Sequence, residues 1–207
     1  MHKIMDISLP LSAQMPVYPG TAQTEIQTVK SGSGTSVLSV ITLTSHAGTH
    51  LDAPSHSLKD GASIDHLPLE AFYGPCRVLD LTGSAKAITP ADLWSCAIQP
   101  GERILLKTRN SLRGFTTFYD DYVYLDTQAA TYLATVGARL VGIDSLSIKQ
   151  RGAPDNTAHT ALLAKSIPIL EGLNLAAAEP GAYVLCAFPL AFRGLDGSPT
   201  RAILLAE

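Results

Sequence analysis

Within eleven residues, His46-Ala-Gly-Thr-His50-Leu-Asp52-Ala-Pro-Ser-His56 sets three of the chain's six histidines beside a carboxylate. Two imidazoles and a carboxylate suit Zn²⁺ or Mn²⁺, and three protein ligands leave a coordination position for water. A cation held this way lowers the pKa of that water from about 15.7 to about 7 and polarises a substrate carbonyl. A further histidine without a ligand role, His56, can then shuttle a proton to the leaving group. The plain alternative is that each histidine is structural or exposed, as a lone histidine usually is. Four ligand-type side chains in one register favour the metal, and a closed structural zinc site is disfavoured because no cysteine lies near.

The backbone has to bring these groups together. In an extended segment residues two apart share a face, so His46, His50, Asp52 and His56 point the same way, with Gly48 leaving space for an ion. A helix would also align His46 with His50, but Gly48, Pro54 and the β-rich run at 36–44 argue against one. Branched apolar residues predict further strands at 3–9, 24–30, 76–81, 103–108, 139–144, 182–188 and 201–205. Thr89 with Pro90 starts a helix leading into 93–98, on which Trp94 is expected in the core. Asp126 opens a second helix carrying Ala130, Leu133 and Val136 and closed by Gly137, and a third is expected at 158–165. No repeat, low-complexity tract or linker interrupts the chain, which predicts one α/β (mixed α+β) domain over residues 1–207.

Bulk composition narrows the partners. Of 207 residues 46% are hydrophobic and 16% charged, against roughly 25% charged in an average soluble domain, which points to surface covered by a homodimer or larger homo-oligomer. A net charge of -3 without a basic stripe excludes nucleic acid as the expected partner. The longest apolar run, 182–192, is about half the ~20 residues a spanning helix needs and contains Pro189, so no membrane is expected. Cys76, Cys96 and Cys186 are too far apart for a redox or zinc pair and read as reduced, buried fillers. Asp6 and Ser8 interrupt what would have to be a secretory apolar stretch, which predicts a cytoplasmic location.

The segment 46–56 resembles the cyclase family of metal-dependent hydrolases, whose signature His-x-Gly-Thr-His-x-Asp-x-Pro-x-His it matches at every specified residue. The likeness continues through Pro16-Val-Tyr18-Pro-Gly20, Gly74-Pro-Cys76-Arg-Val78, Val141-Gly-Ile-Asp144-Ser145, Ile169-Leu-Glu171-Gly172 and Asp196-Gly-Ser-Pro199-x-Arg201-Ala202. It implies a swivelling β/β/α domain with two divalent metal ions per chain, zinc first and manganese second. His46, His50 and Asp52 would hold one ion, His159 would bind the other, and Asp52 and Glu171 would bridge them. His56 is similar in position to the family's catalytic acid/base. Taken by themselves, His159 reads as a capping or surface histidine and Glu171 as a solvated charge.

Two departures from the family pattern bear on substrate. Tyr18 stands where the bacterial kynurenine formamidases carry Trp against the substrate's aromatic ring, and its hydroxyl wants a partner. Lys149 stands where the family often has an acid, altering a hydrogen bond behind the ligands or the pocket edge. The aromatic stretch 115–124 can cover a substrate, although ordinary packing is the simpler reading; His2 and His66 lack ligand partners at useful spacing. The resemblance implies hydrolysis of a small aromatic amide, N-formylkynurenine first and a cyclic amide such as isatin second. A metal-loaded protein that binds a small carboxylate without turnover is the rival from another class.

Overall fold

The computed structural model describes residues 3–30, 32 and 34–206. The first half contains β1 (Lys3–Asp6), β2 (Glu25–Lys30), β3 (Val37–Thr42), β4 (His50–Asp52), β5 (Tyr73–Asp80), β6 (Ala87–Ile88), α1 (Pro90–Trp94) and β7 (Arg103–Lys107). The second half contains α2 (Asn110–Arg113), β8 (Tyr124–Leu125), α3 (Thr127–Val136), β9 (Leu140–Ile143), α4 (Thr157–Leu163), β10 (Ile169–Glu171), β11 (Gly181–Cys186), β12 (Gly197–Pro199) and β13 (Ile203–Ala206). Nine of these strands form one mixed sheet in the order β1-β13-β11-β5-β7-β9-β10-β4-β12. Its centre, β5-β7-β9-β10, is parallel, and the strands to either side pair antiparallel.

Both faces of the central strands are covered, so β7 is buried at all five positions, as a parallel interior strand should be. Alternation then sorts its residues. Ile104 and Leu106 join Leu93, Leu133 and Leu162 in the core under the helices, while Leu105 joins Phe72, Leu170 and Leu204 on the opposite face. Gly142 on β9 faces this second layer closely; a Cβ there would lie 2.5 Å from Leu105 Cδ2 and 2.9 Å from Leu173 Cδ1.

The eight predicted strands correspond to β1, β2, β3, β5, β7, β9, β11 and β13, most of them shorter by a residue or more at one end. Helix starts were readable from caps. Thr89 and Asp92 form a reciprocal capping box, and Asp126 accepts from the amides of Gln128 and Ala129. α1, however, stops at Trp94 instead of running to 98, and Trp94 is 65% exposed, which corrects its assignment to the core. In a helix of five residues only one side chain, Leu93, reaches the interior. Cys76 is buried as expected, with its thiol pKa pushed up to about 12 by burial, whereas Cys96 and Cys186 are half-buried. Among the described residues no helix is long and apolar enough to cross a membrane. His2 lies outside the described residues.

Candidate metal centre

Three three-residue strands at one end of the sheet carry the site. β4 lies between β10 and β12, with Glu171 opposite His50 and both Ile169 and Gly197 opposite Asp52. The register therefore delivers Glu171 from far along the chain to the His50–Asp52 pair. Only His50–Asp52 is extended; His46 sits in the preceding turn and His56 ends a 3₁₀ turn, Pro54–His56. The expected single extended face is thus corrected, although its members do converge: the rings of His46 and His56 are 4.2 Å apart, and those of His46 and His50 5.0 Å.

Gly48 also works differently from expectation. Its φ is +61° and a Cβ would meet Leu11 Cδ2 at 2.7 Å, so the glycine admits a left-handed turn against Leu11 and does not make space for an ion. That turn presents the Gly48 carbonyl to His50, whose Nδ1 donates to it at 2.9 Å. The proton is thereby fixed on Nδ1, and Nε2 offers a lone pair. This lone pair faces Glu171 Oε2 at 3.3 Å and Asp52 Oδ1 at 3.5 Å, and it has no hydrogen-bond partner. On the other side of the same carboxylates, His159 Nε2 lies 3.2 Å from Glu171 Oε1 and 3.6 Å from Asp52 Oδ2, the latter a buried oxygen without a hydrogen-bond partner. His50 Nε2 and Asp52 Oδ2 are thus buried polar atoms without a partner, which is costly unless a cation stands among them. The donor set therefore fits a divalent metal, with ligand atoms gathered within 4.8 Å as His50–Asp52–Glu171 and as His46–Asp52–His56.

His46 is clamped between two carboxylates, Nδ1 against Asp52 Oδ1 and Nε2 against Asp196 Oδ2, each at 2.8 Å. Burial works against its protonation, but Asp52 and Asp196 outweigh burial and raise its pKa to about 9. Burial likewise opposes protonation of His159, which Glu171 and Asp52 reverse. Glu171 is held well below the usual carboxylate range, its burial outweighed by His159 and His50. The carboxylates draw positive charge inward, as protons or as a metal cation. Asp196, whose motif carried no assigned role, holds both His46 and His56: His56 Nδ1 lies 3.5 Å from Oδ2, and Ser45 Oγ donates to Oδ1 at 2.9 Å. Burial raises its pKa, but His46, Ser45 and His56 bring it down to about 2. Gly197 beside it has no Cβ to displace the His46 ring, which a Cβ would meet at 2.8 Å. An acid just ahead of a Gly-Ser-Pro strand gives no chemical signal without the β12–β4 pairing.

A cavity of about 300 Å³ opens over the cluster, lined by His46, His50, His56, His159 and Glu171 together with Tyr18, Lys149 and Asn156. A larger hollow of about 820 Å³ near Phe188 and Leu190 contains none of these histidines. Tyr18 meets Phe118 edge-on at 5.4 Å, Phe118 meets Tyr122 at 5.9 Å, and the Tyr122 hydroxyl donates to the Lys149 carbonyl. Part of the aromatic stretch thus packs behind the cavity wall. His66 is exposed and bonded to nearby Ser63.

Sheet and site together define a metal-dependent hydrolase. Residues 5–150 match the Cyclase family, and the chain belongs to it. A kynurenine formamidase from Bordetella avium is 37% identical over 206 residues, covering 99% of this chain and 98% of the relative. A solved structure of a predicted metal-dependent hydrolase from Bacillus stearothermophilus is 34% identical with a TM-score of 0.89, covering 100% of both chains. Isatin hydrolase A from Labrenzia aggregata, solved with benzyl benzoate, is 26% identical with a TM-score of 0.87, covering 99% of this chain and 94% of that one.

Proposed function

We propose that this protein hydrolyses N-formyl-L-kynurenine to L-kynurenine and formate with two divalent cations per chain, zinc first and manganese as the alternative. The observation that carries this reading is that Asp52 and Glu171 each turn one oxygen toward His50 and the other toward His159. Carboxylates that span two positions offset the repulsion between two cations. His46, His50 and Asp52 would hold one ion, and His159 the second, with Asp52 and Glu171 shared. Cations held by these residues would acidify water and polarise the formyl carbonyl.

The chain's own groups supply the rest. His56 takes a proton from the attacking water, and as the carbon–nitrogen bond breaks it gives a proton to the departing aryl amine. With Nδ1 turned toward Asp196, Nε2 is the nitrogen left to exchange that proton. Tyr18 on the cavity wall supplies an aromatic face for the substrate ring. The 37% identical formamidase supports the substrate; the solved isatin hydrolase of shared fold supports opening of a cyclic amide as the second reading. The low charged share supports a homodimer, and a cytoplasmic location is proposed with it.

The test compares zinc- or manganese-loaded protein, the chelated protein and His56→Ala on N-formyl-L-kynurenine and on isatin. Turnover of the formamide by loaded protein, lost on chelation and reduced about 10²-fold or more in His56→Ala, is expected. Loaded protein that turns over neither compound would leave the metal-dependent carboxylate binder as the better description.

A further inference from the structure

Among the described residues lining the cavity over the cluster, Lys149 is the one Lys or Arg. It is half-buried, and its Nζ donates only to the carbonyl oxygen of Asp155, at 3.1 Å. No carboxylate of the described residues lies within 4.0 Å of it, since the neighbouring Asp155 carboxylate accepts instead from the amide and hydroxyl of Thr157 at 3.0 and 2.6 Å. Arg151, two residues on, differs sharply. Its Nε donates to Asp120 at 3.0 Å while its guanidinium stands 5.3 Å from the centre of the Tyr18 ring. The loop therefore holds one cation ion-paired with Asp120 beside the Tyr18 ring and one with no carboxylate of the described residues within 4.0 Å, on the wall of the cavity itself. A half-buried ammonium whose nearest acid, Asp155, stands beyond ion-pair distance is poised for an anion.

We propose that Lys149 determines substrate choice by forming an ion pair with a carboxylate carried on the tail of an aromatic amide. This rests on the hydrolase reading above and deepens it. Tyr18 and Lys149 line the same cavity as His56, so an aromatic amide ending in an amino acid can place its ring against Tyr18 and its carboxylate at Nζ. Isatin, a neutral bicyclic amide, offers Lys149 nothing.

The experiment uses metal-loaded full-length protein as wild type, Lys149→Met and Lys149→Arg. Turnover is measured on N-formyl-L-kynurenine and on formanilide, which lacks the carboxylate; calorimetry measures binding of L-kynurenine and of 2-aminoacetophenone, its counterpart without the amino-acid tail. Lys149→Met should raise KM for N-formyl-L-kynurenine about 10- to 100-fold, the value of one charge-assisted bond, with kcat near wild type. Both constants for formanilide should stay unchanged, and Lys149→Arg should recover most of the loss. Binding of L-kynurenine should weaken by a similar factor while that of 2-aminoacetophenone does not. Equal changes for charged and uncharged members of each pair, or none in either, would overturn the proposal. If wild type hydrolyses neither amide yet prefers L-kynurenine through Lys149, the formamidase reading falls and carboxylate recognition stands; turnover of both amides without any Lys149 dependence gives the reverse.

Discussion

The centre of the sheet and its β10-β4-β12 end are built on different terms. β7 and β9 are five and four residues long, aliphatic through their centres, and packed on one face by Leu93 and Leu133 and on the other by Leu170 and Leu204. The end strands are three residues each, buried throughout, and give three of those buried positions to His50, Asp52 and Glu171. Strands this short contribute little stability of their own, and their geometry is imposed by pairing with neighbours. A stable centre thus supports an end whose buried polar groups oppose folding until a cation joins them.

That contrast can be broken from either side. The largest effect is expected for Glu171→Ala, which removes one shared carboxylate: turnover should fall about 10³-fold or more, since the cation contributes several kcal/mol, and metal content by elemental analysis should drop. Leu105→Ala at the centre should do the opposite, costing about 2–5 kcal/mol in urea unfolding while activity per folded molecule stays near wild type. A folded Leu105→Ala protein that has lost metal would show that the two regions are not separable. Asp196→Asn weakens the group that orients His46 and His56 without touching Asp52 or Glu171, so metal affinity or activity should fall about 10- to 100-fold with the thermal midpoint little changed. Trp94→Ala sits at the bottom of the scale: as an exposed side chain it should shift stability by no more than about 0.5 kcal/mol, and a loss above 2 kcal/mol would show that something covers it in solution.

What the amino-acid sequence disclosed follows the same division. The aliphatic strands were visible because burial on a sheet leaves a run of branched residues, and α3 because Asp126 and Gly137 mark its ends. β4, β10 and β12 went unseen, since three residues carry no periodicity and theirs are chosen for chemistry. His46, His50, Asp52 and His56 were legible from their crowding in one segment, though the turn at Gly48 and the 3₁₀ turn at His56, not one extended face, bring them together. His159 and Glu171 entered only through family resemblance, because each stands in an unremarkable stretch until α4 and β10 fold beside β4. Asp196 carried no role at all in the sequence, as its meaning depends on a neighbour 150 positions away.

One backbone contact sets the distance between the two halves of the site. Gly172 follows Glu171 at φ +68°, and a Cβ there would fall 2.2 Å from the Gly48 carbonyl oxygen, the acceptor that fixes the His50 proton. The chain carrying Glu171 therefore presses directly on the chain carrying His50, and Thr49 Oγ donates to the Gly172 carbonyl to hold them there. Two close backbone segments thus fix the spacing of Glu171 and His50. An alanine at Gly172 would therefore part Glu171 from His50 without altering either side chain.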